Sequence, residues 1–113
     1  MKLIIAGGRD YLFKEEDIIF LRTIKHKISE VVSGGARGAD REGERWAEYH
    51  NIPIKKFPAD WKQYGRKAGP MRNQQMAEYA QAVCLFEGGR GTASMFNIAT
   101  KEGLEIYDRR SLE

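Results

Sequence analysis

The sequence predicts a single α/β domain over residues 1–113, a Rossmann-like three-layer sandwich around a five-stranded parallel sheet. Short apolar runs of four to six residues alternate with longer amphipathic stretches along the chain. The runs are continuous in apolar character rather than alternating, as in strands covered by helices on both faces. Glycine-rich segments or long polar connections follow the runs, where strands give way to helices in right-handed βαβ units.

Leu3–Ala6 reads as the first strand. Lys14 to Lys27 reads as a helix, because Ile18, Leu21, Ile24 and Ile28 recur at helical spacing. Acidic Glu15, Glu16 and Asp17 open it and basic Lys25, His26 and Lys27 close it, so both ends suit the helix dipole. Glu30–Ser33 is a short second strand. A second helix spans Ala39–His50 with Trp46 and Ala47 inward, and Ile54–Phe57 is a third strand after Pro53. Pro70 fits the first turn of a third helix that runs to Tyr79. Ala82–Phe86 is the fourth strand, Thr92 can cap a fourth helix to Lys101, and Gly103 stops that helix before the fifth strand, Leu104–Tyr107.

Composition bounds the function. Hydrophobic residues make up 42% and charged residues 31% of the 113, the balance of a chain that folds around a core. A domain of this length buries roughly two-thirds of its unfolded surface, enough without staples. The apolar runs fall far short of the about 20 residues of a membrane helix, so no membrane partner is expected. Met1 leads straight into a strand-like run without a signal-peptide pattern, so a cytoplasmic location is expected. Cys84 is the single cysteine, which rules out an internal disulfide and a multi-cysteine zinc site; set mid-strand among apolar neighbours, it reads as an inert thiol. His26 and His50 have no metal-ligand spacing, so no metal or cofactor is expected. Nineteen Lys plus Arg against sixteen Asp plus Glu give a net charge of only +3, modest for a dedicated nucleic-acid binder.

The placement of charge and glycine is more informative. In a parallel sheet, ligands sit at the carboxyl ends of the strands. At those ends fall Gly7-Gly8-Arg9-Asp10, then Ser33-Gly34-Gly35-Ala36-Arg37-Gly38-Ala39-Asp40. The long connection from Pro58 through Trp61 to Arg72 and Asn73 follows the third strand, and Gly88-Gly89-Arg90-Gly91-Thr92 follows the fourth. Glycines bring backbone amides within reach of phosphate oxygens, two of these loops run into helix N-termini, and arginine forks match phosphate geometry. Four such segments on one edge point to a phosphorylated ligand; the alternative is that the glycines only make tight turns beside solvated arginines. Asp40 suits either the start of the second helix or a ribose hydroxyl. Trp61 and Tyr64 suit either packing or stacking on a base.

Together the segments GGRD, SGGARGAD, FPADW, AGPxRN and GGxGT resemble the SLOG superfamily of Rossmann-like nucleotide binders. That group includes the cytokinin-activating phosphoribohydrolases and the bacterial DNA-processing protein A, and the likeness here is to its compact single-domain branch. The resemblance runs from Ile4 to Tyr107. It implies a nucleotide-derived ligand, with Gly34, Gly35, Arg37, Gly38, Arg72, Gly89, Gly91 and Thr92 at the matching positions. The phosphoribohydrolases carry PGGxGTxxE, whose glutamate takes part in cleaving the N-glycosidic bond. Here Glu87 replaces the proline and Met95 stands where the glutamate would be. A thioether can neither stabilise a developing ribosyl cation nor activate water.

The resulting expectation is a binding module for a nucleotide-derived small molecule, an ADP-ribose-type or cyclic nucleotide signal. With no effector domain in the chain, such a module would act as a stand-alone sponge of the kind a phage could use against an immune signal. An enzyme acting on a nucleotide N-glycosidic or phosphate bond is the alternative, with Asp10 or Asp40 as the carboxylate. Single-stranded nucleic-acid binding ranks third. The resemblance also implies a homo-oligomer, and Met71, Met76, Tyr79, Met95, Phe96 and Ile98 on the third and fourth helices suggest an apolar contact between copies.

Overall fold

The computed structural model describes residues 1–110. Five parallel strands form one sheet: β1 (Lys2–Ala6), β2 (Glu30–Ser33), β3 (Ile54–Lys56), β4 (Ala82–Leu85) and β5 (Glu105–Asp108), in the order β3-β2-β1-β4-β5. The helices are α1 (Glu15–Ile24), α2 (Ala39–Tyr49), α3 (Trp61–Tyr64), α4 (Ala68–Tyr79) and α5 (Arg90–Lys101). The predicted three-layer architecture holds.

Side chains leave the central strands alternately. From β1 and β4, Leu3, Ile5 and Cys84 join Leu21 and Ile24 of α1 and Trp46 and Ala47 of α2 in one buried cluster. Ile4, Val83 and Leu85 join Met76 and Ala77 of α4 and Met95 and Ala99 of α5 in the other. Both faces of the two strands are therefore apolar, which is why their sequences do not alternate. Burial pushes the Cys84 thiol up to about 12, so it stays protonated and unreactive.

Several boundaries differ from expectation. Lys25–Lys27 forms a separate 3-10 turn after α1. The α4 helix starts two residues before Pro70, and a proline in the first turn costs nothing there because its missing N–H has no intrahelical acceptor. The α5 helix is capped by Gly89, and Thr92 is its third residue rather than its cap. The short helix α3 was not anticipated; it is held by Asp60, whose carboxylate accepts from Gln63 N–H at 3.1 Å. Finally, Asp17 does more than complement a dipole. It is buried and accepts from the Tyr11 hydroxyl and from Lys14 N–H, with Arg109 Nε at 3.5 Å. One carboxylate thus ties the loop after β1 to the start of α1 and to the residue that follows β5.

Sequence order reverses between β1 and β4, so the chain leaves these neighbours toward opposite faces of the sheet. A crevice opens outside their carboxyl ends for that reason.

Candidate functional site

A cavity of about 1100 Å³ occupies this crevice. Its walls hold fourteen of the predicted positions: Gly7, Gly8, Arg9, Gly34, Gly35, Arg37 and Asp40 from the first two loops, then Trp61, Arg72, Asn73, Gly89, Arg90, Gly91 and Thr92. Four others lie off the wall. Asp10 is exposed and meets Arg37 at 3.7 Å. Ser33 is buried, donating to Glu44 Oε2 at 2.6 Å and accepting from Gly35 N–H at 3.1 Å. Gly38 and Gly88 serve the packing of the loops against each other.

The glycines fall into two kinds. Some let backbones touch. A Cβ on Gly38 would lie 2.2 Å from Gly8 O, and one on Gly88 would lie 2.1 Å from Thr92 Oγ1 and 2.6 Å from Gly8 N. Gly8 itself is fully engaged: its N–H donates to Glu87 O at 2.8 Å, and its carbonyl accepts from Ala39 N–H and Tyr11 N–H. The glycines of the first loop therefore join three loops into one floor. Gly35, Gly89 and Gly91 are the other kind, with nothing within 4 Å of a Cβ; they border open space.

The second loop turns its amides inward. Gly35 N–H is taken by Ser33 Oγ and Ala36 N–H by Asp40 Oδ2 at 3.2 Å. Ala39 N–H, at the start of α2, is taken by Gly8 O at 3.1 Å. An anion already sits in this nest, and it is the protein's own Asp40. That carboxyl is 7% exposed, and burial pushes it up to about 6 against the opposing pull of Ala36 N–H, Arg72 and Gly34 N–H. Arg72 faces it, donating from Nη1 to Gly34 O at 2.7 Å and from Nε to Asn73 Oδ1 at 3.2 Å. Burial lowers the Arg72 pKa too, with Asp40 opposing and Arg9 adding to the effect. For both groups, lost hydration outweighs their mutual attraction.

The N-terminus of α5 differs. Gly89 caps it without a side-chain hydrogen bond, no acidic residue stands in its first turn, and Gly91, Thr92 and Ser94 line the cavity. Its first amides and the positive end of its dipole face the crevice. Arg9, Arg66 and Arg90 on the wall make no salt bridge among the described residues. Arg66, one of the arginines expected on this edge, lines the cavity as well, together with Pro58, Pro70 and Met76, whose place on the wall no sequence pattern set apart. Met95, which replaces the phosphoribohydrolase glutamate, is buried in the core beneath α5 and reaches the wall.

The family model of the YspA, cpYpsA-related SLOG family (YAcAr) matches residues 1–64, which hold β1 to β3 and the first two loops. The chain belongs to this SLOG family. It is also similar to the Gene 61 protein of Mycobacterium phage D29, 42% identical over 86 residues that cover 69% of each chain. No solved structure matches the chain. The family is one of nucleotide-related binding domains, and the cavity lies where this fold class places ligands. No helix among the described residues is long and apolar enough to cross a membrane, and no cluster of metal-ligating side chains occurs among them.

The apolar residues expected at a contact between copies are largely used within the domain. Met76 and Met95 are buried, while Tyr79, Phe96 and Ile98 are half-buried against the core. Only Met71, 38% exposed, projects outward among the six.

Proposed function

We propose that this SLOG domain binds a phosphorylated, nucleotide-derived small molecule, of the ADP-ribose or cyclic nucleotide type, and holds it without cleaving it. The observation that carries the reading is the start of α5, which no side chain caps, open to the cavity and flanked by arginines free of acidic partners. A phosphate there gains the amides and the dipole, with charge-assisted contacts from the guanidinium groups. A phage relative supports the narrower role of a sponge that withdraws an immune signal. A homo-oligomer remains part of the proposal on the family resemblance alone.

Titration calorimetry with ADP-ribose, cyclic mononucleotides and cyclic dinucleotides tests the reading. Micromolar binding of a member of this panel is expected, with the ligand recovered intact after heat denaturation. Absence of heat for all of them overturns it.

A hydrolytic reading draws support from Asp40, a cavity carboxyl whose pKa lies close to neutrality, where a general acid or base works best. Release of free base from nucleoside monophosphates or NAD over multiple turnovers, abolished in Asp40→Asn, would favour it over simple binding.

A further inference from the structure

Trp61 is a large aromatic side chain placed where packing does not require it. It opens α3 in the connection after β3, a segment exposed from Trp61 through Lys67. Its six-membered ring rests on α4, since a Cβ on Gly69 would lie 3.2 Å from Cη2 and 3.7 Å from Cζ3. Gly69 is buried within the first turn of α4. The missing side chain there lets the indole settle directly against the helix. Yet 49% of Trp61 remains exposed, and it lines the cavity together with Pro58, Pro70 and Met76. These form the apolar part of a wall whose other parts are glycine backbone and guanidinium groups.

We infer that Trp61 is the stacking platform for the base of the ligand, so that the bound molecule lies with a planar nucleobase on the indole and its phosphate toward the start of α5. The inference rests on the nucleotide reading above and adds the ligand's polarity. An indole held along one edge loses little further freedom when a base covers its open face, and stacking tolerates any base because each has a π-face. Arg66, exposed and lining the same cavity, adds a guanidinium to the wall that carries the indole. The commitment is to a free nucleotide rather than a strand, because the site is a walled crevice on a chain of net charge +3.

The test compares the 5′-monophosphates of adenosine, guanosine, cytidine and uridine with ribose 5-phosphate, which has the phosphate and no base. Calorimetry on the full chain is paired with tryptophan fluorescence. The chain has two tryptophans, and Trp46 is buried in the core, so quenching by a bound base reports on Trp61. The best nucleotide is expected to bind about five- to a hundredfold more tightly than ribose 5-phosphate and to quench the emission. Trp61→Ala should remove that advantage and leave ribose 5-phosphate affinity unchanged, and Trp61→Phe should keep most of it. A Trp61→Ala variant that still prefers the nucleotide by the wild-type ratio overturns the inference and leaves the nucleotide reading standing. Loss of ribose 5-phosphate binding in that variant overturns it too, by making Trp61 a structural prop. Failure of the wild type to bind any of these probes overturns the inference, and the nucleotide reading falls with it only when ADP-ribose and the cyclic nucleotides also give no heat. Tighter, steeply salt-dependent binding of an oligodeoxyadenylate replaces the free nucleotide with a strand.

Discussion

Asp40→Asn separates the electrostatic cost of the second loop from its hydrogen bonds. Asparagine keeps the shape and an oxygen that can accept from Ala36 N–H, but it carries no charge to bury. In the folded protein the Asp40 carboxyl is raised from 3.8 to about 6. Two pKa units correspond to about 3 kcal/mol between protonated and ionised forms. The sign follows from proton uptake: between these two values the folded state holds a proton that the unfolded state has released. Stability from this group is thus fully present below pH 3.8 and is lost as pH rises to about 6. Above that pH the Asn variant should be the more stable by about 1–3 kcal/mol, the lower figure allowing for Arg72 losing its opposite charge. Near pH 4 the two should converge. Urea denaturation of both proteins across this range measures the difference directly. A difference that stays constant with pH would refute the reasoning, because it would mean that Asp40 does not titrate in that window.

Three further outcomes are expected. Arg9→Ala and Arg90→Ala should each weaken nucleotide binding by about tenfold to a hundredfold in calorimetry, whereas Arg72→Ala should lose stability because Gly34 O and Asp40 are left without its guanidinium; unchanged affinity in both of the first two would misplace the phosphate. Gly88→Ala should cost about 1–3 kcal/mol in urea denaturation, since its Cβ meets Thr92 Oγ1 and the Gly8 backbone, whereas Gly91→Ala in α5 should gain about 0.5–1 kcal/mol while crowding the cavity. Asp17→Ala should cost about 2–3 kcal/mol in urea denaturation by stripping the Tyr11 hydroxyl, Lys14 N–H and Arg109 of their shared acceptor.

The strands were legible because Leu3–Ala6 and Ala82–Leu85 are apolar without alternation, a pattern that a sheet covered on both faces imposes. Helix ends were less so, since Gly89 caps α5 by backbone geometry alone while Thr92, the better capping residue by type, lies inside the helix. The sequence located the edge on which the cavity opens but could not sort its glycines. Gly88 and Gly91 read alike, yet one is pressed between two loops and the other borders open space. That difference arises from contacts between segments far apart in the chain, which no local pattern encodes. For the same reason Asp17 read only as one of three acids suited to a helix dipole, and Met76 and Met95 looked available to a partner although the sheet had already claimed them.

The central position of β1 has a consequence for how the chain is made. Lys2–Ala6 is made before either of its neighbours, and its pairing with Glu30–Val32 on one flank can form early. Its other flank pairs with Ala82–Leu85. At about 5–20 residues per second, a nascent chain waits several seconds between the two. Throughout that interval a strand buried over Leu3–Ala6 presents an open ladder of amides and carbonyls, the arrangement that recruits foreign strands. Fragments that stop after β3 inherit the same open flank permanently. Expression trials of shortened chains should therefore yield insoluble material until β4 is included, and a chaperone that shields Leu3, Ile4 and Ile5 would matter most until β4 has been made.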